Sequence, residues 1–371
     1  MSDRNRPKRS EYMEWAKLHS AARFSLATSG IVSVPISEFP FDPTQLEITG
    51  TDPYGYRRLQ ERMALHTGAP IDCIVAAAGT SMANHLAMAA VLSAGDEVLI
   101  EAPAYGPLLD VANYLGVRVK RFQRRFENAF RVDVDELEAA VNERTRLIVL
   151  TNLHNPSGAV VDLETLRAIG NIALRAKTHV LVDEVYLEML FVRDAPRSFS
   201  LGQTMAPVDE NPFIVTSSLT KAYGLSGLRC GWILAAPEIA HRMWRFNDLF
   251  GANAAHPAER LSVVAFDNLQ VFRDRACNLL ERNRPLLDAF LDSRDDLECV
   301  RPVGGSTVFP RLRSGDSERF ATLLRDKYET SVVPGRFFGM PQHFRIGISG
   351  HTEELRGGLE RLSAALDEFS G

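Results

Sequence analysis

The chain is poor in the residues that staple small or extracellular domains. Its four cysteines, Cys73, Cys230, Cys277 and Cys299, lie far apart and form no CxxC pair, so neither a disulfide framework nor a zinc or redox motif is written here. The nine histidines form no HExxH pattern, and no metal is expected. No stretch is apolar for long enough to span a bilayer. Basic residues are not in surplus: 42 Lys and Arg stand against 47 Asp and Glu, a net charge of -5. That denies nucleic acid and anionic membranes an attracting field. Low-complexity tracts and solenoid-period repeats are also missing, which sets aside disorder and repeat architectures. The basic start MSDRNRPKRSEYMEW is followed by no apolar run, so it is read as a flexible lead-in rather than a signal peptide. A cytoplasmic protein with a small-molecule partner is the expectation.

What remains is an ordinary globular composition, 45% hydrophobic and 24% charged over 371 residues, enough for about two domains. From Pro70 onward short apolar runs alternate with helical patterns. IVAAAG (74–79), EVLIEAP (97–103), VRVKRF, RLIVLTN, HVLVDEVY and FIVTSS read as strands. MANHLAMAAVL, YGPLLDVANYLG and VDLETLRAIGNIALRAKT read as helices between them. This alternation predicts an α/β fold, a mainly parallel sheet sandwiched by helices. A long helical stretch, roughly Pro257 to Ser293, then leads to GGSTVFPRL, SVVPGRFF and HFRIGIS, strand-like pieces separated by the helical SERFATLLRDKYE. They predict a smaller α/β domain, with a ligand cleft between the two.

In such sheets ligands bind beyond the carboxyl ends of the strands. The residues at those ends are Gly79, Thr80 and Ser81, then Tyr105, Asn155, Asp183 with Tyr186, and Ser218 with Lys221. In AAAGTSMANHL a strand, a glycine and two hydroxyl residues open a helix, so backbone N–H groups converge where a phosphate can sit. Between Ile214 and Ala236 the only formal charges are Lys221 and Arg229. Arg229 can pair with that phosphate; Lys221, desolvated among small and apolar groups, becomes a nucleophile toward a carbonyl. A phosphate site beside a reactive lysine points to pyridoxal 5′-phosphate. Asp183 then suits a protonated pyridine nitrogen, Asn155 and Tyr186 the phenolic oxygen, and Tyr105 the ring face. Each residue also has a plain alternative: a capped helix, a strand-end salt bridge, an Asn-Pro turn, core-edge aromatics.

Taken together, SSLTKAYGLSGLRCGW, TNLHNPSG, VLVDEVYLEM and VPGRFFGMPQHFRIGIS resemble, in the same order, the motifs of the class I/II, fold-type I pyridoxal-phosphate aminotransferases. The likeness runs from about Gly50 to Gly350. It implies a seven-stranded-type sheet, with residues 1–49 an N-terminal arm belonging to the small domain. Residues 50–270 would be the large cofactor domain and 271–371 the C-terminal small domain. It also implies Lys221 as the aldimine lysine and proton carrier, Arg229 as the phosphate arginine, and Arg345 as the clamp on the substrate α-carboxylate, with Asn155 and Gly30 as further substrate contacts. The reaction implied moves an amino group between an α-amino acid and a 2-keto acid. Relatives with the same residues include carbon–sulfur lyases, β/γ-eliminating enzymes and cyclases of hydroxylated arginine. The family also implies a homodimer, with Asn253 near the neighbouring subunit's cofactor.

Two departures stand out. Gln60 replaces the arginine of the family's Gly-x-x-x-Leu-Arg pattern, here Gly55 to Gln60. The tyrosine that reaches the neighbour's phosphate falls on Gly50, leaving Tyr54 or Tyr56 as substitutes. His154, just before Asn155, is near the site, either tuning the ring or packing behind it.

Overall fold

The computed structural model describes residues 8–192 and 194–370. A seven-stranded sheet is built from β1 (Ile74–Ala78), β2 (Glu97–Ala102), β3 (Arg118–Gln123), β4 (Thr145–Thr151), β5 (His179–Asp183), β6 (Phe213–Ser218) and β7 (Cys230–Leu234). Their spatial order is β1-β7-β6-β5-β4-β2-β3. Only β7 runs antiparallel to its neighbours. The pattern of apolar runs gave six of these strands; β7 lies inside the lysine segment and had not been read as one.

Alternation along the strands sends side chains to two faces. Val75, Val98, Ile100, Val149, Leu181 and Ile214 face one core with the helices Gly79–Val91, Gly106–Leu115 and Pro237–Asn247. Leu99, Ile148, Leu150, Val180, Val182 and Val215 face the other, with the helix Leu163–Ala176. Small residues bring the first helix close: a Cβ on Gly231 of β7 would lie 2.6–3.0 Å from the backbone of Gly79. The positive φ of Gly79, 78°, lets the chain turn directly from β1 into the helix.

Outside this sheet, Phe344–Gly347 pairs antiparallel with both Thr307–Val308 and Val333–Pro334. The N-terminal segment joins the same region, since Phe24–Ser25 pairs in parallel with Thr330–Ser331 and the Gly347 N–H donates to the Leu26 carbonyl (2.7 Å). A side chain at Gly347 would collide with Thr28. Residues 24–30 are thereby laid beside Arg345.

Two expectations change. The supposed lead-in folds from Ser10 onward: Glu11–Leu18 is a helix, its first turn capped by Ser10, which accepts from the Met13 N–H (3.4 Å). Its Tyr12 and Trp15 rings meet Tyr105 and Phe337, contacts more than 90 residues distant that no local pattern announces. The rest of that stretch, residues 1–7, lies outside the described residues. The long helical stretch is two helices, His256–Asp267 and Leu269–Asp292. Asn268 leaves helical geometry (φ -122°, ψ 23°) and bonds its own side chain back to the Val264 carbonyl (2.9 Å), a local competition with the helix ladder.

Candidate active site

At the carboxyl ends of β1, β4, β5 and β6 lies a cavity of about 180 Å³, bordered by Thr80, Ser81, Asn84, Tyr105, Asn155, Asp183, Tyr186, Lys221 and Arg229 among others. Its anion-accepting end is the start of the helix Gly79–Val91. Arg229 folds back over this turn, donating to the Ala78 carbonyl (3.1 Å), and a Cβ on Gly79 would collide with its guanidinium. Arg229 adopts a left-handed conformation (φ 50°), a strained geometry that aims the side chain at the helix start. Thr80 Oγ1 donates to Ser218 Oγ (2.8 Å). Backbone N–H groups, two hydroxyls and a guanidinium thus face one spot.

Asp183, at the end of β5, is buried. Its Oδ2 accepts from Asn84 Nδ2 (2.8 Å) and its Oδ1 from the Val185 N–H (3.1 Å). Asn84 is itself fixed by Thr216, whose Oγ1 donates to the amide oxygen (2.6 Å). Both donors to Asp183 are neutral, and burial pushes its carboxyl up from 3.8 to about 6. A cation supplied from the cavity would reverse that shift.

Lys221 is half-buried, and desolvation lowers its pKa. Its Nζ donates to Ser29 Oγ (3.3 Å), which also bonds the Tyr186 hydroxyl (2.8 Å). A Cβ on Gly30 would lie 3.2 Å from Lys221 Cδ, so Gly30 makes room for the lysine stem. At the opposite end Arg345, wholly buried, donates from Nη1 to Asn155 Oδ1 (2.8 Å), and from Nη2 to the Ala27 carbonyl (3.0 Å) and the Tyr12 hydroxyl (3.2 Å). Tyr105 caps the helix Gly106–Leu115 and turns its hydroxyl to Met13 Sδ (3.4 Å).

His154 packs behind the cavity. Nε2 lies 3.0 Å from the Pro103 carbonyl and so carries the proton; Nδ1 accepts from Ser157 Oγ (2.6 Å). Burial, then the charge of Arg124, hold this imidazole neutral. Gly50, Tyr56 and Asn253 border a different cavity of about 220 Å³, together with His256. A side chain at Gly50 would run into the His256 ring, so His256 fills the space beside Gly50. Tyr54 packs instead on Trp244 (6.0 Å between centroids).

Sequence reasoning missed Asn84, Ser29 and Tyr12. Asn84 had a usable signal: it lies one helical turn beyond Thr80 on a helix that starts at the site. Ser29 and Tyr12 had none, because the pairing of residues 24–30 with the C-terminal strands brings them in.

A turn that gathers anion-binding groups, a buried carboxylate without a cation and a desolvated lysine define a pyridoxal-phosphate enzyme of fold type I. The chain belongs to the aminotransferase class I and II family, whose model matches residues 47–362. It is 30% identical to capreomycidine synthase of Streptomyces vinaceus, over 93% of this chain and 90% of that one. It is 29% identical to the arginine–pyruvate transaminase AruH of Pseudomonas aeruginosa, over 85% and 80%. A crystal structure of a PLP-dependent aminotransferase from Streptococcus suis superposes with a TM-score of 0.90 at 26% identity, covering 98% and 99% of the two chains. The fold is shared as well with the PLP-dependent cyclase OrfR, at a TM-score of 0.86 and 23% identity over 98% and 99%. The residues present fit the cofactor: among the described residues Asp183 is hydrogen-bonded only by neutral donors, and the turn at Gly79 has no side chain to block a phosphate.

Proposed function

We propose that this protein transfers an amino group between an α-amino acid and a 2-keto acid. The observation that carries the reading is one cavity lined by Lys221, Asp183 and Asn155, with Arg345 bonded to Asn155. Lys221 would hold the cofactor's aldehyde and Asp183 its pyridine nitrogen. Gly79, Thr80, Ser81, Ser218 and Arg229 would hold its phosphate, Asn155 and Tyr186 its phenolic oxygen, and Tyr105 its ring face. When bound, the cofactor supplies the electron sink for charge that develops at the substrate Cα.

This chain's residues do the rest. Arg345 binds the α-carboxylate and, with Asn155, orients the Cα–H bond. Gly30, beside the lysine stem, would be a further substrate contact. The Lys221 amine, lowered in pKa by desolvation, would carry the proton to and from Cα. Asp183 would keep the cofactor's pyridine nitrogen protonated. Ser29 connects Lys221 to Tyr186 and steadies both. The strand pairing of Phe24–Ser25 with Thr330–Ser331 supports a small domain made of 1–49 and 271–371 against a large one of 50–270. A homodimer is part of the same proposal, with Asn253 and Tyr56 directed to the neighbouring site.

The relative named arginine–pyruvate transaminase sets the first pair to try. Holoenzyme given arginine, then other amino acids, with pyruvate should form alanine, and turnover should stop when pyruvate is withheld. The relative named capreomycidine synthase favours a second reading, in which the same residues serve elimination or cyclisation of a hydroxylated arginine-like substrate. Continued turnover without any keto acid would select that reading over aminotransfer.

A further inference from the structure

A cavity of about 590 Å³ lies apart from the candidate active site and shares no bordering residue with it. It opens between the ends of β2 and β3 and the loop that leads into Phe344–Gly347, and is bordered by Pro103, Arg121, Arg124, Phe126, Arg311 and His343 among others. Its volume is that of a small-molecule site, and the proposed reaction uses none of these side chains.

One corner of it holds polar atoms with nothing to bond. His343 is 2% exposed, and both its ring nitrogens lack a partner among the described residues. The ring is held by packing instead, stacked on Phe309 (4.7 Å) and edge-on to Phe126 (5.7 Å). Burial, then the charge of Arg311, push its pKa down to about 4, so it is a neutral imidazole with one N–H to donate. Arg124, fully buried, donates from Nε to the Phe130 carbonyl (2.6 Å) and from Nη1 to Glu101 (2.7 Å), while Nη2 has no partner. The Phe130 ring is itself 6.2 Å from that of His343, so both unpaired groups belong to one corner. Buried donors are seldom left unpaired without a ligand, ion or water to take them.

The charges on the wall favour an anion. Arg121 donates to the carbonyls of Ile100 (3.2 Å) and Glu101 (2.7 Å) and forms no ion pair among the described residues. Arg125 and Arg311 are paired, the first with Glu136, the second with Glu127 and Glu298, but of these carboxylates only Glu127 borders the cavity. Phe126, Phe338 and Met340 supply apolar wall. We propose that this cavity is a second ligand site, for a small organic carboxylate with a flat apolar body. The carboxylate accepts from Arg124 Nη2 and the His343 N–H, a charge-assisted pair of bonds; Arg121 supplies the uncompensated positive charge, and the body lies against Phe126 and Phe338. The site stands whether the reaction is aminotransfer or elimination, since it rests on neither Lys221 nor Arg345.

The test uses holoenzyme with 4-bromobenzoate and 4-bromobenzamide. Crystals soaked in the acid and read at the bromine absorption edge are expected to show bromine between Phe126 and Phe338, separate from any at Arg345. His343→Phe keeps the ring packing and removes both nitrogens. It is expected to abolish that peak and, in calorimetry, to weaken the acid at this site by about tenfold or more, the scale of a hydrogen bond to a charged group. Arg121→Gln, on the half-buried rim, is expected to weaken it similarly, and decides the matter should His343→Phe not fold. The amide should bind this site at least about tenfold more weakly than the acid. No bromine in this cavity, an affinity that neither variant changes, or an amide that binds as well as the acid would overturn the site.

Discussion

The two ends of the cavity are built differently. The end proposed to hold the cofactor, Gly79 to Ser81, Asp183, Ser218, Lys221 and Arg229, sits at the tips of adjacent strands, so the sheet order β1-β7-β6-β5 places it. The end proposed to hold the substrate carboxylate joins Arg345 to Asn155, Ala27 and Tyr12 across 190, 318 and 333 positions of chain. The first end is set mainly by the sheet, whose topology fixes where strand tips fall. The second needs the N-terminal segment to pair with the C-terminal strands. Chemistry at the cofactor end should therefore resist loosening of the arm, and substrate selection at the other end should not.

The largest expected effect is at the lysine. Lys221→Ala should lower kcat by at least about 1,000-fold, since both the covalent hold and the proton carrier are lost, while arm and fold stay intact; a steady-state assay with a circular dichroism control checks it. Asp183→Asn should lower kcat by at least about 100-fold and, in the cofactor-free protein, raise stability. Burial lifts this carboxyl from 3.8 to about 6, so the fold retains a proton that the unfolded chain has released between those values. Its contribution to stability is full below about pH 4 and is lost as pH rises through 6. Denaturant titrations should thus find the variant more stable than wild type at pH 7.5, on the order of 3 kcal/mol, with the gap closing near pH 4.

At the other end, Arg345→Lys should raise KM for amino acids about 10- to 100-fold, because an ammonium cannot reproduce the planar two-pronged contact. Single-turnover rates at saturating substrate should change much less. If kcat fell as far as KM rose, the separation of the two ends would be wrong. The smallest effect is expected at their junction. Ser29→Ala removes the oxygen shared by Lys221 and Tyr186 and should cost about three- to tenfold in kcat, the scale of one hydrogen bond, read from pH–rate profiles.

The same division governed what the sequence disclosed. Five strands were legible as continuous apolar runs largely buried on both faces and the edge strand Arg118–Gln123 as an alternating one, and polar residues at strand ends marked the end proposed to hold the cofactor. Strand β7 was hidden, since its CGWIL is short and shares a segment with Lys221 and Arg229. Arg345 was found through resemblance to a family motif. Tyr12 and Ser29 were not, because their roles come from pairings across the length of the chain that hydrophobic periodicity does not encode. The helix Glu11–Leu18 was mistaken for a flexible lead-in for a related reason: its aromatic residues pack on distant partners, Tyr105, Phe337 and Phe338. At Gly50 the sequence showed a missing tyrosine, and the structure shows why the position stays bare, with His256 packed against it.

The most direct test of aminotransfer is a half-reaction: holoenzyme mixed with one amino acid at a time, with no keto acid, followed by absorbance and product analysis. The account predicts stoichiometric conversion of the cofactor to pyridoxamine phosphate and release of one equivalent of the matching keto acid, then a halt. Catalytic accumulation of an eliminated or cyclised product, with the cofactor returned to its aldehyde form each cycle, would contradict it.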